Sequence, residues 1–585
     1  MRHDPTVRPD VPRFDRRFLD GQARFTAIGH GACGGKAAGL LVMRDALASV
    51  ADAGFAGVEV SIPTLTVLTT EFFDRFVADN HLADIAYSDA PDRRIALAFQ
   101  QADMPVDLLG DLRALITQVH TPLAIRSSSL LEDAIFRPFA GVYETKMIPN
   151  NQPDPDVRFR RLIEAIKFVW ASTFFADAKR YIRATDRAVE EEKMAVIVQE
   201  VVGRRRRDRF YPDVSGVARS YSFYHSGHAR PEEGVLGLAL GLGKTIVDDG
   251  VAWHVSPAHP KAMPPYGSID ELIDRTQREF WAVNMGKPPA YDPIAETEYL
   301  LKASLADAEQ DGALRYVAST FDPASDRLSP GGGGRGLRVL TFAPLLVLEE
   351  WPLAPLVRRL LGACEEAVGE VVEMEFAATV DRDHLRLGFL QVRPMVISSA
   401  VVELDRDDLG PGLLVASDAV LGNGIVDSIA DVVYVRPERF EARHTPAIAG
   451  DLAAVNHDLV AAGRPYLLIG FGRWGSSDPW LGIPVTWGQV AGARAIVETT
   501  LPSINVELSQ GTHFFHNISS FEVSYFSVHH DASPGIDWAW LDAQPAEHET
   551  GVVRHVRLGA PLLVKVDGRT GRGVIRRTGR GQERA

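Results

Sequence analysis

The apolar positions of this chain follow two periods, and the switches between them divide it into elements. Leu162, Ile163, Ile166, Trp170, Phe174, Ala178 and Tyr181 recur every three or four residues, which predicts an amphipathic helix over 157–182. Leu356, Val357, Leu360, Leu361, Cys364 and Val368 do the same over 353–369. Elsewhere the period is two, or the run is wholly apolar. Residues 58–68 read as strand broken by Pro63, with a helix starting near Glu71. Leu123 to Ile125 and residues 194–202 read as buried strands, and 214–224 as a returning strand. Residues 371–380 and 384–394 alternate on either side of Asp381-Arg382-Asp383, the pattern of a β-hairpin. Residues 90–120, 256–300 and 488–499 read as helical. The fold class is therefore a mixture of α+β and α/β.

Polar residues are set into these elements at positions that suggest chemistry. Strand alternation puts Glu373 and Glu375 on one face of the hairpin, and Gln391 and Arg393 on one face of its second strand. A three-residue loop sets the register so that all four share a face. Two carboxylates, an amide and a guanidinium there suit Mg²⁺ with phosphate, or form a charge-paired exposed surface. Arg126 leaves its strand into three serines followed by Glu132 and Asp133. That run can hold a polyanion with charge-assisted donors, or be a salt-bridged strand end before a Ser-capped helix.

Glycines crowd positions 29, 31, 34, 35 and 39 just where a helical pattern begins at Lys36. Such a loop presents bare N–H groups to phosphate, and Lys36 adds a point charge; otherwise it is a tight turn that packs a helix closely. In letters it matches the dinucleotide fingerprint, but the next strand ends without the acidic residue that would hold a ribose. Residues 241–245, GLGKT, lack the P-loop spacing, so Gly241 and Gly243 belong to a glycine-rich loop open to ligand contact. The five arginines between 204 and 209 read as a solvated hairpin tip, with an anion-binding loop as the other reading.

Composition narrows the classes. The 585 residues suffice for about three or four domains. A formal net charge of −15 argues against a general nucleic-acid binder. Two cysteines exclude a disulfide framework or a cysteine zinc site and suit a reducing, cytoplasmic setting. The first 20 residues hold no apolar signal core, and no apolar run is long enough for a membrane span.

The order of several of these pieces resembles the nucleotide-binding domain of the pyruvate phosphate dikinase and phosphoenolpyruvate synthase family, an ATP-grasp relative. The matching segments are 34–40, 62–76, 124–145, 194–202, 215–218, 241–243, 372–377 and 390–394. The resemblance implies an ATP-grasp-like fold. Lys36 and Arg126 fall at triphosphate-binding positions, and Gln199, Glu200 and Val201 at the hinge that meets adenine and ribose. Gly241 and Gly243 lie in the loop near nucleotide. Glu375 and Gln391 fall at metal and nucleotide positions, and Arg393 at the phosphate-contacting arginine. ATP and Mg²⁺ are the implied cofactors. The departures are Lys244 where the family has an acid, Tyr221 where it has an arginine, and Glu373 in place of aspartate.

After Pro394 about 190 residues remain, too few for the family's pyruvate-binding barrel. The start of this region weakly resembles the family's swivelling domain, and Gly511-Thr512-His513 resembles its phosphoacceptor. His513 is a candidate phosphohistidine, with His516 three residues on for a metal pair; a buried histidine among aromatics is the plainer reading. Arg473 and Asp478 bind substrate or brace their turn.

The expected domains are a loose segment 1–24, an ATP-grasp-like region 25–398, a C-terminal α/β domain 399–565 and a basic tail 566–585. The expected activity is ATP- and Mg²⁺-dependent phosphoryl transfer to a histidine or small-molecule acceptor in the C-terminal domain. The alternatives are a nucleotide-binding regulatory module and an ATP-grasp ligase that forms an acyl phosphate. A separate acceptor-binding protein or a homo-oligomer would complete the system; nucleic acid and membrane are not expected partners.

Overall fold

The computed structural model describes residues 11–16, 24–51, 54–130, 142–183, 188–221, 229–247, 251–262, 272–273, 276–333, 336–395, 402, 404–476, 478, 480–502, 506 and 523–578. The chain divides into two compact units, the first formed by 1–221 and 226–394, the second by 222–225 and 395–585.

Two sheets carry the site of the first unit. One has five strands in the order Phe25–Ile28, Leu65–Leu68, Met194–Glu200, Leu123–Ser129, Thr145–Ile148. The other has six, in the order Trp253–Val255, Val235–Ala239, Val214–Arg219, Val372–Val380, Leu385–Pro394, Val58–Ser61. Pro63 separates Val58–Ser61 from Leu65–Leu68, so one apolar run feeds both sheets. Helices Gly35–Ala51 and Leu353–Val368 pack on each other and on the hairpin strands of the second sheet. Met374, Phe376, Phe389 and Val392 share one buried core with both helices.

The hairpin's register rests on two departures from a plain ladder. Its turn has four residues, Asp381 to His384, because Val380 pairs with Leu385. Four residues without further adjustment would put Glu375 opposite Leu390 and turn Gln391 to the core. Instead the ladder shifts between Glu375 and Phe376, so Leu390 is the extra residue of a β-bulge. Glu375 then faces Gln391, and Glu373 faces Arg393. The expected shared face is present, built by a longer turn and a bulge that cancel each other's change of parity.

Elsewhere the local pattern misleads. The 157–182 pattern is two helices, Pro155–Ser172 and Ala176–Arg183, broken after Thr173. Within 256–300, read as helical, Glu279–Asn284 is a strand whose Phe280, Ala282 and Val283 are buried. The arginine hairpin, strands Arg204–Arg206 and Arg209–Tyr211, is not simply solvated. Arg204 and Arg206 pair with Asp213, Arg206 lies over the Tyr211 ring, and Arg209 holds Asp311 at 2.8 Å. A buried Lys146 pairs with Glu298 at 2.7 Å and donates to three backbone carbonyls, fixing loop 292–298 to the first sheet.

The second unit is built on one sheet, in the order Leu413–Ser417, Arg572–Arg577, Val553–Asp567, Gly424–Val435, Tyr466–Phe471, Ala493–Thr499, Ser524–Val528, Val420–Leu421. Gly424–Val435 through Ser524–Val528 run parallel to one another. Two expectations fail here. Residues 493–499 form a strand rather than part of a helix, its register fixed by parallel neighbours on both sides. Residues 572–577, placed in a loose basic tail, form a sheet strand. Val574 and Ile575 are buried there, while Arg576 and Arg577 meet Asp408 and Asp537. Asp431, Glu547 and His555 lie within 4.8 Å of one another, but Arg464 donates to both carboxylates and His555 bonds Asp431 at 2.9 Å. That cluster is an ion-pair network already filled by a guanidinium.

Among the described residues no helix is long and apolar enough to cross a membrane.

Candidate nucleotide site

The glycine-rich loop comes first because everything else is anchored to it. Gly29 and Gly34 have φ of +100° and +77°. A Cβ on Gly34 would stand 1.8 Å from the Ser128 carbonyl oxygen, so only glycine fits. The loop is stitched to the strand Leu123–Ser129 by Ser128, whose hydroxyl donates to the Cys33 carbonyl at 2.8 Å and accepts from Ala37 N–H at 3.1 Å. Burial pushes the Cys33 thiol up to about 11, so Cys33 is a packing residue.

Helix Gly35–Ala51 follows at once, with Lys36 in its first turn and no acidic residue there. Lys36 is only 6% exposed and donates to Ser127 Oγ at 3.5 Å. The first turn of this 17-residue helix is its positive end, where the dipole and the Lys36 ammonium both favour an anion.

The serines after Arg126 do not form an open loop. Ser127, Ser128 and Ser129 continue the strand, buried, and pair with Val196, Ala195 and Met194. Glu132 and Asp133 lie outside the described residues.

Arg126 is the junction. Its Nη1 donates to Gln199 Oε1 at 3.1 Å and to the Leu390 carbonyl at 2.8 Å. Its Nη2 donates to Gln391 Oε1 at 3.0 Å and lies 3.7 Å from the Glu375 carboxylate. The carbonyl it takes from Leu390 belongs to the bulge, where the ladder is interrupted and an acceptor is exposed. Gln199 is buried, and its Nε2 has no hydrogen-bond partner among the described residues.

Across the second sheet, Arg219, Glu373 and Arg393 form one row, and Val217, Glu375 and Gln391 the next. The opposite face of the same strands is the apolar core. Glu373, 1% exposed, takes Arg219 Nε at 2.5 Å on one oxygen and Arg393 Nη2 on the other. Glu375 has a side chain 19% exposed and, among the described residues, only the longer contact to Arg126.

Arg126, Gln199, Glu375 and Gln391 thus come together from distant segments, with Arg393 one row along the same sheet face, while Lys36 meets Ser127, the residue after Arg126. Gly241 and Gly243 flank the same sheet face: Ser215, in line with Val217 and Arg219, donates to the Gly241 carbonyl at 2.7 Å. Gly241 has φ +82°. Lys244 pairs with Glu296 at 2.8 Å. Glu200 ends the strand Met194–Glu200 and Val201 follows it, but their N–H groups already donate to the carbonyls of Thr64 and Pro122, each at 2.9 Å. The Glu200 carboxylate accepts from Thr121 at 2.6 Å. His513 and His516 lie outside the described residues. Sequence reasoning missed Arg219, whose signal was its two-residue spacing from Val217 on an alternating strand, and Leu390, which had none.

The family model described as pyruvate phosphate dikinase, AMP/ATP-binding domain, matches residues 30–407, well over half of the chain. No curated protein matches.

Proposed function

We propose that this chain, which belongs to the pyruvate phosphate dikinase AMP/ATP-binding domain family, is an ATP- and Mg²⁺-dependent phosphotransferase. The observation that carries the reading is the convergence of Arg126 on Gln199, Gln391 and Glu375, with Lys36 bonded to the next residue of the same strand, Ser127. In that arrangement Lys36 and Arg126 take the triphosphate, and the buried Nε2 of Gln199 supplies a further donor. The hinge residues Glu200 and Val201 and the loop at Gly241 and Gly243 border the nucleotide.

Glu375 and the amide oxygen of Gln391 are the groups that would hold Mg²⁺, since a hard cation takes one or two carboxylates plus phosphate oxygens. Glu373 does not fit that role, because both of its oxygens already hold guanidinium groups. Magnesium, when bound, neutralises part of the polyphosphate charge. Arg393 and Arg126 stabilise the charge that develops during transfer, and catalysis consists mainly of positioning. The phosphoryl group passes to His513, through a neutral ring nitrogen, or to a small acceptor held by the second unit.

Incubation with β- and γ-labelled ATP tests this. Covalent label that disappears in His513→Ala supports a phosphohistidine. Label transferred to an added metabolite supports direct transfer. Saturable binding with no turnover would refute the enzyme and leave a nucleotide-sensing module. That second reading draws support from Lys244, a cation where the family has an acid, held by Glu296.

A further inference from the structure

We infer that Arg219 is a second phosphate-binding guanidinium, yoked to Arg393 through Glu373, so that this face grips a polyphosphate at two successive stations. The inference rests on the nucleotide reading above and extends it.

Register fixes the geometry. Arg219 and Arg393 lie on the strands flanking Glu373, each directly opposite it, on the face that carries Glu375 and Gln391. Glu373 is buried and gives one oxygen to each arginine. A carboxylate saturated in this way fixes the two guanidinium groups relative to each other. Arg219 engages Glu373 through Nε alone. Its two terminal amino groups have no partner among the described residues, and its side chain keeps 17% of its surface exposed. A planar fork with free donors over a polar sheet face suits a phosphate rather than an isolated ion pair.

The spacing of the rows points the same way. The row of Arg219 and Arg393 lies two residues, about 7 Å, from the row of Glu375 and Gln391, which Arg126 contacts. That separation suits an extended polyphosphate and exceeds what a single phosphate group can bridge. The ligand class is therefore a nucleoside triphosphate or diphosphate, with Arg219 acting on its phosphate chain and not on its nucleoside.

The test is calorimetric titration of the full chain, in magnesium, with ATP, AMP and inorganic tripolyphosphate. Arg219→Met should weaken ATP and tripolyphosphate about tenfold and leave AMP unchanged. Unchanged ATP and tripolyphosphate affinity, or an equal loss for all three ligands, overturns the proposal. If Arg219→Met melts early, Arg219→Gln, which still donates to Glu373, carries the same comparison. Wild-type protein that binds tripolyphosphate through Arg219 but shows no preference for ATP would sink the nucleotide reading and keep the clamp. Wild-type protein that binds neither would sink both.

Discussion

Arg126 donates to Gln391 Oε1 at 3.0 Å across 265 positions of sequence, and this contact joins the two sheets that make the site. With the bonds to Gln199 and Leu390, it means that the guanidinium is in place before any ligand arrives. A preset cation loses little further freedom on binding, which favours affinity. Arg126→Met should therefore cost about 1.5–3 kcal/mol in ATP affinity, roughly 10- to 100-fold, with the circular dichroism spectrum retained. Lys36→Ala should fall in the same range. Wild-type affinity in either variant would contradict the assignment of these cations to the triphosphate.

The glycine loop gives a sharper contrast. Gly34→Ala forces a Cβ onto the Ser128 carbonyl at a positive φ, so both the loop and the seat of Lys36 must move. Backbone strain alone is worth about 1–3 kcal/mol. Gly362→Ala, in helix Leu353–Val368 with nothing within 4 Å of the added carbon, should be neutral or stabilising. Melting temperature and ATP titration of the pair separate loop geometry from general intolerance of alanine.

Lys146 and Glu298 form a buried ion pair, and burial pushes the Lys146 ammonium below its ordinary value. Lys146→Met strands a carboxylate away from water and should cost about 3–5 kcal/mol. Lys146→Met/Glu298→Met should cost clearly less. Chemical denaturation of the two variants checks the order; equal losses would mean that the pair is held by packing alone.

The Arg464 network predicts acid sensitivity. Burial pushes the Asp431 carboxyl up, but hydrogen bonds from His555 and Arg464 outweigh it and leave Asp431 below its ordinary value. The hydrogen bond from Arg464 likewise lowers Glu547. Groups depressed by folding stabilise the native state above their unfolded pKa, about 4 for carboxylates, and lose that contribution as pH falls through the folded value. Arg464→Gln should thus cost stability at neutral pH, where both carboxylates are ionised, and move the acid-unfolding midpoint to higher pH. Tryptophan fluorescence during acid titration measures the midpoint, and an unchanged value would show that the network contributes nothing.

Much of the site could be read from local pattern. Alternation placed Glu373, Glu375, Gln391 and Arg393 on one hairpin face, and the glycines announced the loop before Lys36. The rest depended on partners far away in sequence. The serines after Arg126 looked like loop residues because their strand neighbours, Met194 to Val196, were not visible from where they stand. Residues 493–499 mix two alanines with Ile496 and Val497 and fit either period; parallel neighbours decide for strand. Arg576 and Arg577 looked like a basic tail because Asp408 and Asp537 are remote. The bulge at Leu390 has no glycine to mark it.

That bulge constrains how the hairpin can diverge. A one-residue insertion or loss between the turn and Glu375, on either strand, would exchange the ionic surface for the oily one. Lineages can therefore vary length here only through compensated pairs of events. An aligned set of related sequences should show gaps in this hairpin in even totals, or none.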